Sequence, residues 1–337
     1  MIISRAPMRI TLGGGGTDLP SFYEKEEGFL INGAINKYVF ISTNEQYNKT
    51  YKLNYSHMEE VEDIDDIKHP LFREALRYYD IEPGIEIHSM ADIPGGKGLG
   101  SSGSFLVALL QNLHFLKYGE IPYPRKIAED ACKIEINILK EHEGKQDKYV
   151  AAFGGVKAYK FHKDGRVSVS PLMNEDMILN ELEEHLTIFP LNIRRKGTAS
   201  DTLSNIDDKM KKDDKHYIDL MKKIKYLGLE TKRLLENYEF DSFGETLNTH
   251  WELKKEWHPD VTNKRIDKLY QAAMDLGCLG GKTIGAPGGG FIMFYHPSID
   301  KDKWVFLAEM WDEFNIEPLN CRFVDEGVSL LWGEHEY

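Results

Sequence analysis

The chain has 337 residues, enough to bury a large hydrophobic core and to form two domains. Its 41% hydrophobic and 29% charged residues describe a soluble globular protein, and its formal net charge of −13 argues against a general nucleic-acid or membrane-surface binder. The longest apolar run, at 105–116, is too short for a transmembrane helix, and no signal peptide is expected. Three widely spaced cysteines fit neither a disulfide framework nor a zinc site, so we expect a reduced, cytoplasmic setting.

The N-terminal segment is expected to form strand structure at 1–4 and 9–12 that runs into four consecutive glycines at 13–16. Four glycines between two apolar runs cost backbone entropy on folding. We therefore interpret them as a backbone that must come close to a ligand, with a flexible loop as the alternative. Asp18, which follows them, would accept hydrogen bonds from ligand hydroxyls.

The next segment carries structural signals only. Strands are expected at 28–35 and 37–43, and the acidic stretch 57–70 is expected to be a solvated surface segment. A short helix over 70–79 and a strand at 84–88 should follow.

The stretch 92–104 is rich in glycine and lies between that strand and an apolar helical run at 105–116. Such a loop presents backbone N–H groups at the positive end of a helix dipole, which suits a phosphate group. Two adjacent serines, Ser101 and Ser102, add hydroxyls that would ligate a metal or bind a phosphoryl oxygen. A phosphate loop is therefore favoured over a glycine-rich helix cap that binds no ligand.

Two familiar phosphate motifs fit this chain less well. The Walker A pattern fails at its near match, Gly281-Lys282-Thr283, because position 276 is leucine. The spacing Gly98-x-Gly100-x-x-Gly103 resembles a dinucleotide fingerprint, but Glu120, near the expected acidic position, lies in a predicted turn. A dinucleotide-dependent oxidoreductase is consequently the weaker alternative.

Two candidate carboxylates come from the segment that follows. Apolar spacing predicts a helix over 125–143 that contains Glu135 and ends at Gly144 as its C-terminal glycine. Most charges on this helix should face solvent. Asp147 stands before a second apolar segment, where it is either the N-cap of another helix or a partly buried carboxylate that faces a pocket.

The second half of the chain is expected to be α+β. The first domain should end with a hairpin at 156–161 and 167–169. In the second half, a basic stretch at 194–200 shows no apolar periodicity. A third glycine-rich segment occupies 280–290. The predicted elements are strands at 185–191, 291–295 and 327–332 and helices at 204–226, 228–238, 241–255, 262–276 and 304–314.

Three glycine-rich segments that lie far apart in sequence, each beside a strand, indicate convergence on one ligand with several phosphates or a closely held sugar. The middle one, Pro94-Gly95-Gly96-Lys97-Gly98-Leu99-Gly100-Ser101-Ser102-Gly103-Ser104, resembles the phosphate loop of the GHMP kinase superfamily. Arg5-Ala6-Pro7-Met8-Arg9-Ile10 is similar to the first motif of that family, and Gly285 to Gly290 to its third.

The resemblance implies an α+β, two-domain GHMP kinase fold. Residues 1–180 would form a ribosomal-protein-S5-like N-terminal domain that binds ATP, and residues 181–337 a ferredoxin-like C-terminal domain. The active site would lie between the two domains.

Two segments point to one branch of the family. Gly14-Gly15-Gly16-Thr17-Asp18 and Gly144-Lys145-Gln146-Asp147-Lys148-Tyr149 are similar to the branch that contains D-glycero-D-manno-heptose 7-phosphate kinases and L-fucokinases. This implies ATP-dependent phosphorylation of the anomeric C1 hydroxyl of the heptose 7-phosphate to the 1,7-bisphosphate, in nucleotide-activated heptose biosynthesis for surface polysaccharide. An L-fucokinase-like or other hexose 1-kinase and a non-catalytic sensor of the same fold are the alternatives.

The resemblance also assigns roles, residue by residue. Asp147 would be the general base, or would orient and activate the C1 hydroxyl, and Arg9 would stabilise charge on the transferring phosphoryl group. Ser102 and Glu135 would ligate Mg²⁺ through oxygen. The implied ATP-binding residues are Pro94, Gly96, Lys97, Gly98, Leu99, Gly100, Ser101, Ser102, Gly103 and Ser104. The implied substrate-binding residues are Gly14, Gly15, Gly16, Thr17, Asp18 and Arg195.

One departure from the family pattern changes an expectation. Pro287 stands in the third motif and has no N–H to donate, so this loop should shape the site more than bind phosphate. Arg194, Arg195 and Lys196 are candidates for the 7-phosphate, with a surface role as the alternative. The expected partners are ATP and a sugar phosphate, without nucleic acid or membrane. The sequence leaves the oligomeric state open, a homodimer included.

Overall fold

The computed structural model of the chain describes residues 1–192, 199–212, 214–257, 261–285 and 290–333. Its large sheet is built around two long antiparallel strands, β1 (Ile2–Gly13) and β2 (Gly28–Glu45). The sequence predicts each of them as two pieces. The pairing instead continues past Pro7, with a register shift between Pro7 and Met8 that accommodates a residue without an N–H.

Within the described residues, the large sheet has eight strands. Six follow the order β11-β1-β2-β5-β3-β4, and β6 pairs with both β2 and β7. The remaining strands of this sheet are β3 (Tyr51–Asn54), β4 (Met58–Val61), β5 (Ile85–Ala91), β6 (Val156–Phe161), β7 (Val167–Pro171) and β11 (Ser329–Gly333).

A second sheet of three antiparallel strands has the order β8-β10-β9. Its strands are β8 (Leu186–Pro190), β9 (Gly280–Ile284) and β10 (Phe291–Tyr295). Strand β9 occupies the first half of the stretch that the sequence marks only as glycine-rich, and all five of its residues are buried.

Helices cover both sheets. They are α1 (Pro20–Glu26), α2 (Pro70–Tyr78), α3 (Ser101–Tyr118), α4 (Pro124–Cys132), α5 (Gln146–Phe153), α6 (Glu175–His185), α7 (Ala199–Lys211), α8 (Lys215–Glu236), α9 (Phe240–Trp257), α10 (Lys264–Asp275) and α11 (Lys301–Phe314). None of the helices that the structure describes is long and apolar enough to cross a membrane.

Helix α3 is the centre of the larger hydrophobic core. Every residue from Gly103 to Leu113 is buried, polar Gln111 and Asn112 included. A helix that is apolar on all sides belongs in a protein interior. Asn112 is accommodated there because its side-chain amide donates to the carbonyl oxygens of Ile2 and Ile41, each at 3.2 Å. The helix is thereby tied to the two central strands.

The helix predicted over 125–143 is wrong in its second half. Helix α4 passes into a π-helical stretch, Lys133–Ile138, and the helical segment ends near Leu139, well before Gly144. The wider π-helical turn changes which side chains face inward, and Glu135 becomes buried, at 3% exposure. A carboxylate expected among solvent-facing charges therefore lies in the interior.

The acidic segment 57–70 is more ordered than expected. Strand β4 lies within it and pairs with β3. The Glu59 carboxylate is buried and accepts hydrogen bonds from the Tyr55 hydroxyl at 2.6 Å and the Lys68 N–H at 2.7 Å. This charge acts as an internal anchor for the segment instead of a solvated surface group.

The helix break predicted at residue 227 is also wrong. Helix α8 continues through Gly228, and the break lies before it, between α7 and α8. A Cβ at Gly228 would stand 2.8 Å from the Phe29 carbonyl oxygen and 3.0 Å from the Gly14 Cα. This glycine therefore permits close packing and does not terminate the helix.

The division of the chain at residue 180 stays a prediction. Helix α6 runs across that position, and β11, near the other end of the chain, returns to pair with β1 over Ile2 to Arg5. The large sheet thus draws strands from both halves of the sequence.

Candidate active site

The glycine-rich loop before α3 has the backbone geometry that its sequence predicts. Gly96, Gly98 and Gly100 have φ angles of 77°, 86° and 76°, in the left-handed region that favours glycine. Helix α3 begins at Ser101, earlier than predicted. Ser101 and Ser102 therefore lie in its first turn, where backbone N–H groups have no partner within the helix and suit an anion.

The loop packs main chain against main chain on the end of β9. A Cβ at Gly98 would lie 2.7 Å from the Ile284 carbonyl oxygen, and one at Gly285 would lie 2.3 Å from the Gly98 oxygen. The Gly290 N–H donates to the Lys97 carbonyl at 3.1 Å. The described ends of the third glycine-rich segment thus meet the second, while 286–289, with Pro287, lie outside the described residues.

Arg9 connects three parts of the site. Its Nε and Nη2 donate to the two carboxylate oxygens of Asp147, at 2.8 and 3.1 Å, and its Nη1 donates to the Gly98 carbonyl at 2.7 Å. The Arg9 N–H also donates to the Leu99 carbonyl at 2.9 Å. A bidentate pair of this kind fixes both side chains in one orientation, so β1, α5 and the phosphate loop meet at one point.

Asp147 does not cap α5. It lies in the first turn of the helix, the N-cap position is held by Lys145, and neither residue makes a side-chain capping bond. Its carboxylate instead faces Arg9 and the glycine loop: a Cβ at Gly100 would be 3.2 Å from the Asp147 Cγ, and one at Gly103 would be 2.6 Å from its Cβ. The glycines of the loop therefore leave room for this carboxylate.

The two residues expected to ligate a metal lie together. The Ser102 hydroxyl donates to Glu135 Oε1 at 3.1 Å, and Glu135 Oε2 forms an ion pair with Lys148, which is itself buried. Across the described residues, no group of three or more His, Cys, Asp and Glu side chains could hold a metal ion. The site thus offers one hydroxyl and one carboxylate oxygen, neighbours in space although 33 positions apart in sequence.

Asp18 is buried and bound to the segment that carries Asp147. Its Oδ2 accepts from the Gln146 N–H at 2.9 Å and its Oδ1 from the Gln146 side-chain amide at 3.2 Å. Gly144 belongs to this contact, because a Cβ there would stand 1.9 Å from Asp18 Oδ2. Residue 144 must therefore be glycine because it lies so close to Asp18. The prediction that Gly144 ends the preceding helix is wrong.

Some of the expected ligand residues are wholly internal. The Thr17 hydroxyl lies within hydrogen-bonding distance of the carbonyl oxygens of Gly14 and Phe29, at 2.8 and 3.0 Å, and the Ser104 hydroxyl donates to the Pro7 carbonyl at 2.7 Å. Thr17, Ser104 and Leu99 are each at most 1% exposed. Their side chains hold the loops in place, whereas Gly15, Gly16, Gly96, Ser101 and Ser102 line a cavity.

That cavity is lined by both halves of the chain. Arg9, Asp18, Glu135 and Asp147 contribute from the first half. Sequence reasoning assigned no role to nine further residues that line it. They come from β1, α5 and the segment before α5, and from α7, α9 and β9: Thr11, Glu143, Gln146, Lys148, Leu203, His250, Lys254, Trp257 and Lys282. The spacing of His250, Lys254 and Trp257 on one face of α9 was the one available signal.

Arg194, Arg195 and Lys196, the candidates for a substrate phosphate, lie outside the described residues. Their predicted role therefore stays a prediction. Among the described residues, the basic side chains that line the cavity are those of Arg9, Lys148, His250, Lys254 and Lys282.

Burial and like charge shape the acid–base properties of the cavity. Burial raises the pKa of Asp18 above its ordinary value and raises the pKa of Glu143 to about 8. Burial alone would lower the pKa of Lys148, but the Glu135 and Glu143 carboxylates raise it above the usual range for lysine. Lys148 is therefore a fixed positive charge among the carboxylates.

Known families match both halves of the chain. The GHMP kinases N terminal domain matches residues 68–155, and the GHMP kinases C terminal domain matches residues 232–302. The chain is 29% identical to D-glycero-alpha-D-manno-heptose 7-phosphate kinase of Campylobacter jejuni, across 97% of this chain and 98% of that protein.

Two further similarities extend the comparison. The chain is 26% identical to the bifunctional fucokinase/GDP-fucose pyrophosphorylase of Arabidopsis thaliana over 93% of its own length, and spans about a third of that protein. A crystal structure of a D-glycero-D-manno-heptose 1-phosphate kinase from Bacteroides thetaiotaomicron superposes with a TM-score of 0.79 over the whole of both chains, at 24% identity. This structural likeness establishes the shared fold.

Two alanine substitutions in the glycine loop should differ sharply. Gly98→Ala forces a left-handed φ on alanine and a clash with Ile284, so it should lower the free energy of unfolding by about 1–2 kcal/mol or distort the loop. Gly95→Ala, in the same loop, has no positive φ and no neighbour closer than 4.0 Å, and should behave like the wild type. Denaturant unfolding and calorimetric titration with ATP measure both effects, and equal behaviour of the two variants would contradict this account.

Proposed function

Since the chain belongs to the GHMP kinase family and is an ATP-dependent sugar kinase, we propose that it phosphorylates the anomeric C1 hydroxyl of D-glycero-D-manno-heptose 7-phosphate. The product would be the 1,7-bisphosphate. Support comes from the nearly full-length similarity to the Campylobacter heptose 7-phosphate kinase.

One contact carries this proposal. Asp18 and Gln146 belong to the two segments that mark the heptose and fucose branch, and they are hydrogen-bonded to each other beside Asp147. Asp18 lines the cavity with Asp147, and the phosphate loop forms the adjoining wall. A sugar held at Asp18 would thus present a hydroxyl between a carboxylate and the ATP phosphates, the arrangement that in-line phosphoryl transfer needs.

In the proposed reaction, the C1 oxygen of the sugar forms a bond to the γ-phosphorus of ATP while the bond from that phosphorus to the β–γ bridging oxygen breaks. Asp147 orients the hydroxyl and accepts its proton, and ADP carries away the electrons of the broken bond. Arg9 holds Asp147 in position through its bidentate pair. Its remaining N–H groups are available to stabilise charge on the phosphoryl group in transfer.

Ser102 and Glu135 suit Mg²⁺, because hydroxyl and carboxylate oxygens are the ligands that this ion prefers. Their oxygens are 3.1 Å apart and border the cavity. When bound, the ion would neutralise negative charge on the ATP phosphates. Lys148, paired with Glu135, supplies a second positive charge on the same wall.

A panel of acceptors tests the substrate. Heptose 7-phosphate should be turned over with a kcat/KM at least about tenfold above fucose, galactose and mannose, since a site that pairs a phosphate discriminates against sugars that lack one. A coupled ADP-release assay measures all four. Turnover of free fucose but not of the heptose phosphate would favour the fucokinase alternative and contradict the proposed substrate.

The role of Asp147 predicts a selective defect. Asp147→Asn removes the proton acceptor, so kcat should fall about 10²- to 10⁴-fold, while ATP affinity measured by calorimetry should change by less than about threefold. Asp164→Asn is a matched control, because Asp164 is also paired with an arginine, Arg166, but is exposed in a hairpin turn. Near-wild-type turnover of Asp147→Asn would remove this residue from the reaction.

The two serines of the loop should separate metal binding from phosphate binding. Ser102→Ala deletes a proposed Mg²⁺ ligand and should raise the Mg²⁺ concentration for half-maximal activity about tenfold. Ser101→Ala leaves the Ser102–Glu135 contact intact and should not. Mn²⁺ binding in the presence of a non-hydrolysable ATP analogue, followed by electron paramagnetic resonance, gives a readout that does not depend on turnover. Identical metal affinity in both variants would exclude Ser102 as a ligand.

A further inference from the structure

Lys282 is a buried lysine that reaches the cavity from the C-terminal half. It lies on β9, is 2% exposed, and lines the same cavity as Arg9 and Asp147. Its Nζ donates one hydrogen bond, to the carbonyl oxygen of Thr11 on β1, at 2.6 Å. A lysine Nζ has two or three N–H donors, so hydrogen-bonding capacity is left over.

When Lys282 is protonated, its charge has no counter-ion among the residues that the structure describes. No carboxylate of the described residues forms an ion pair with it, although Asp18 and Asp147 line the same cavity. Its charged neighbour is Arg9, of the same sign. A buried cation without a paired anion is costly. Lys148, a buried lysine from the first half of the chain that lines the same cavity, is by contrast paired with Glu135.

We propose that Lys282 is a phosphate-binding residue, whose counter-ion is a phosphate oxygen of a bound ligand. The proposal rests on the proposed function only in that phosphate-bearing ligands enter this cleft. Two ligands carry that chemistry: ATP and the sugar phosphate. Lys282 lies two residues before Ile284, whose carbonyl packs on Gly98 of the phosphate loop, and it is hydrogen-bonded to the strand of Arg9. A phosphate of either ligand would therefore enter the cavity that Lys282 lines.

The electrostatics agree with this role. Burial, with Arg9 adding to it, lowers the pKa of Lys282 to about 7. The groups that face it from other elements are also positive or polar: Arg9 from β1, and His250 and Lys254 from α9. Across the cavity stand carboxylates, among them Glu143, whose pKa is raised to about 8 by burial. An arriving phosphate would raise the pKa of Lys282 and draw a proton onto it.

Binding titrations test the assignment with three ligands. Lys282→Met keeps the length of the side chain and removes the charge, and it should weaken binding of the phosphate that Lys282 contacts by about tenfold or more. A non-hydrolysable ATP analogue, the heptose 7-phosphate and the heptose without its phosphate distinguish the source. Loss confined to the ATP analogue assigns Lys282 to ATP, and loss confined to the sugar phosphate assigns it to the acceptor.

Lys225→Met is the matched control. Lys225 is partly buried on α8 and, like Lys282, donates to a backbone carbonyl, that of Glu26 at 2.7 Å. Unlike Lys282, it does not line the cavity. It should leave all three affinities unchanged. Unchanged affinity of Lys282→Met for both phosphate ligands would overturn the proposal. If the wild type fails to bind the heptose phosphate, the substrate assignment is overturned. The titration with the ATP analogue then remains the test of Lys282.

A measurement on the wild type does not depend on how the variant folds. At pH 8, calorimetry in buffers of different ionisation enthalpy should detect uptake of close to one proton when the contacting ligand binds, since a lysine of pKa about 7 is then largely neutral before binding. Glu143→Gln should retain the uptake and Lys282→Arg, already charged, should abolish it. Binding without proton uptake in the wild type, together with unchanged affinity of Lys282→Met for both phosphate ligands, would overturn the proposal.

Discussion

The Arg9 guanidinium is the contact on which the rest of the site depends. It joins β1 to α5 through Asp147 and to the phosphate loop through Gly98, over hydrogen bonds of 2.7 to 3.1 Å. Because Arg9 lies on a central strand of the large sheet, its hydrogen bonds fix a carboxylate and a glycine loop against that strand. The guanidinium of Arg9 thus holds Asp147 and the phosphate loop in position, in addition to its proposed role toward the phosphoryl group.

A second constraint is the close approach of main chains. Gly98 and Gly285 leave no space for side chains where the loop meets β9, and Gly144 leaves none where Asp18 meets the Asp147 segment. The second and third glycine-rich segments, at 92–104 and 280–290, therefore act as contact surfaces between parts of the protein, as well as surfaces open to a ligand. This explains why glycines recur at the junction of the two halves of the chain, where a Cβ would separate β9 from the phosphate loop.

The sequence predicts the glycine-rich segments from composition, and the resemblance to the GHMP kinases implies the α+β fold and the roles of Arg9, Asp18, Ser102, Glu135 and Asp147. The structure brings these five residues to one cavity. The sequence does not predict the π-helical turn that buries Glu135, because hydrophobic periodicity assumes a regular helix. Nor does it predict Lys282 or His250, since only tertiary packing carries β9 and α9 to the cleft.

The pairing of β11 with β1 has a consequence for how the chain is made. Strand β1 carries Arg9, yet its edge over Ile2 to Arg5 is covered by residues 329 to 333, which leave the ribosome much later than β1. Synthesis proceeds from the N-terminus, so this edge stays open while more than three hundred residues emerge. An uncovered strand edge is a template for pairing with other chains. The nascent chain is therefore open to aggregation at the strand that holds its site together until β11 has been made.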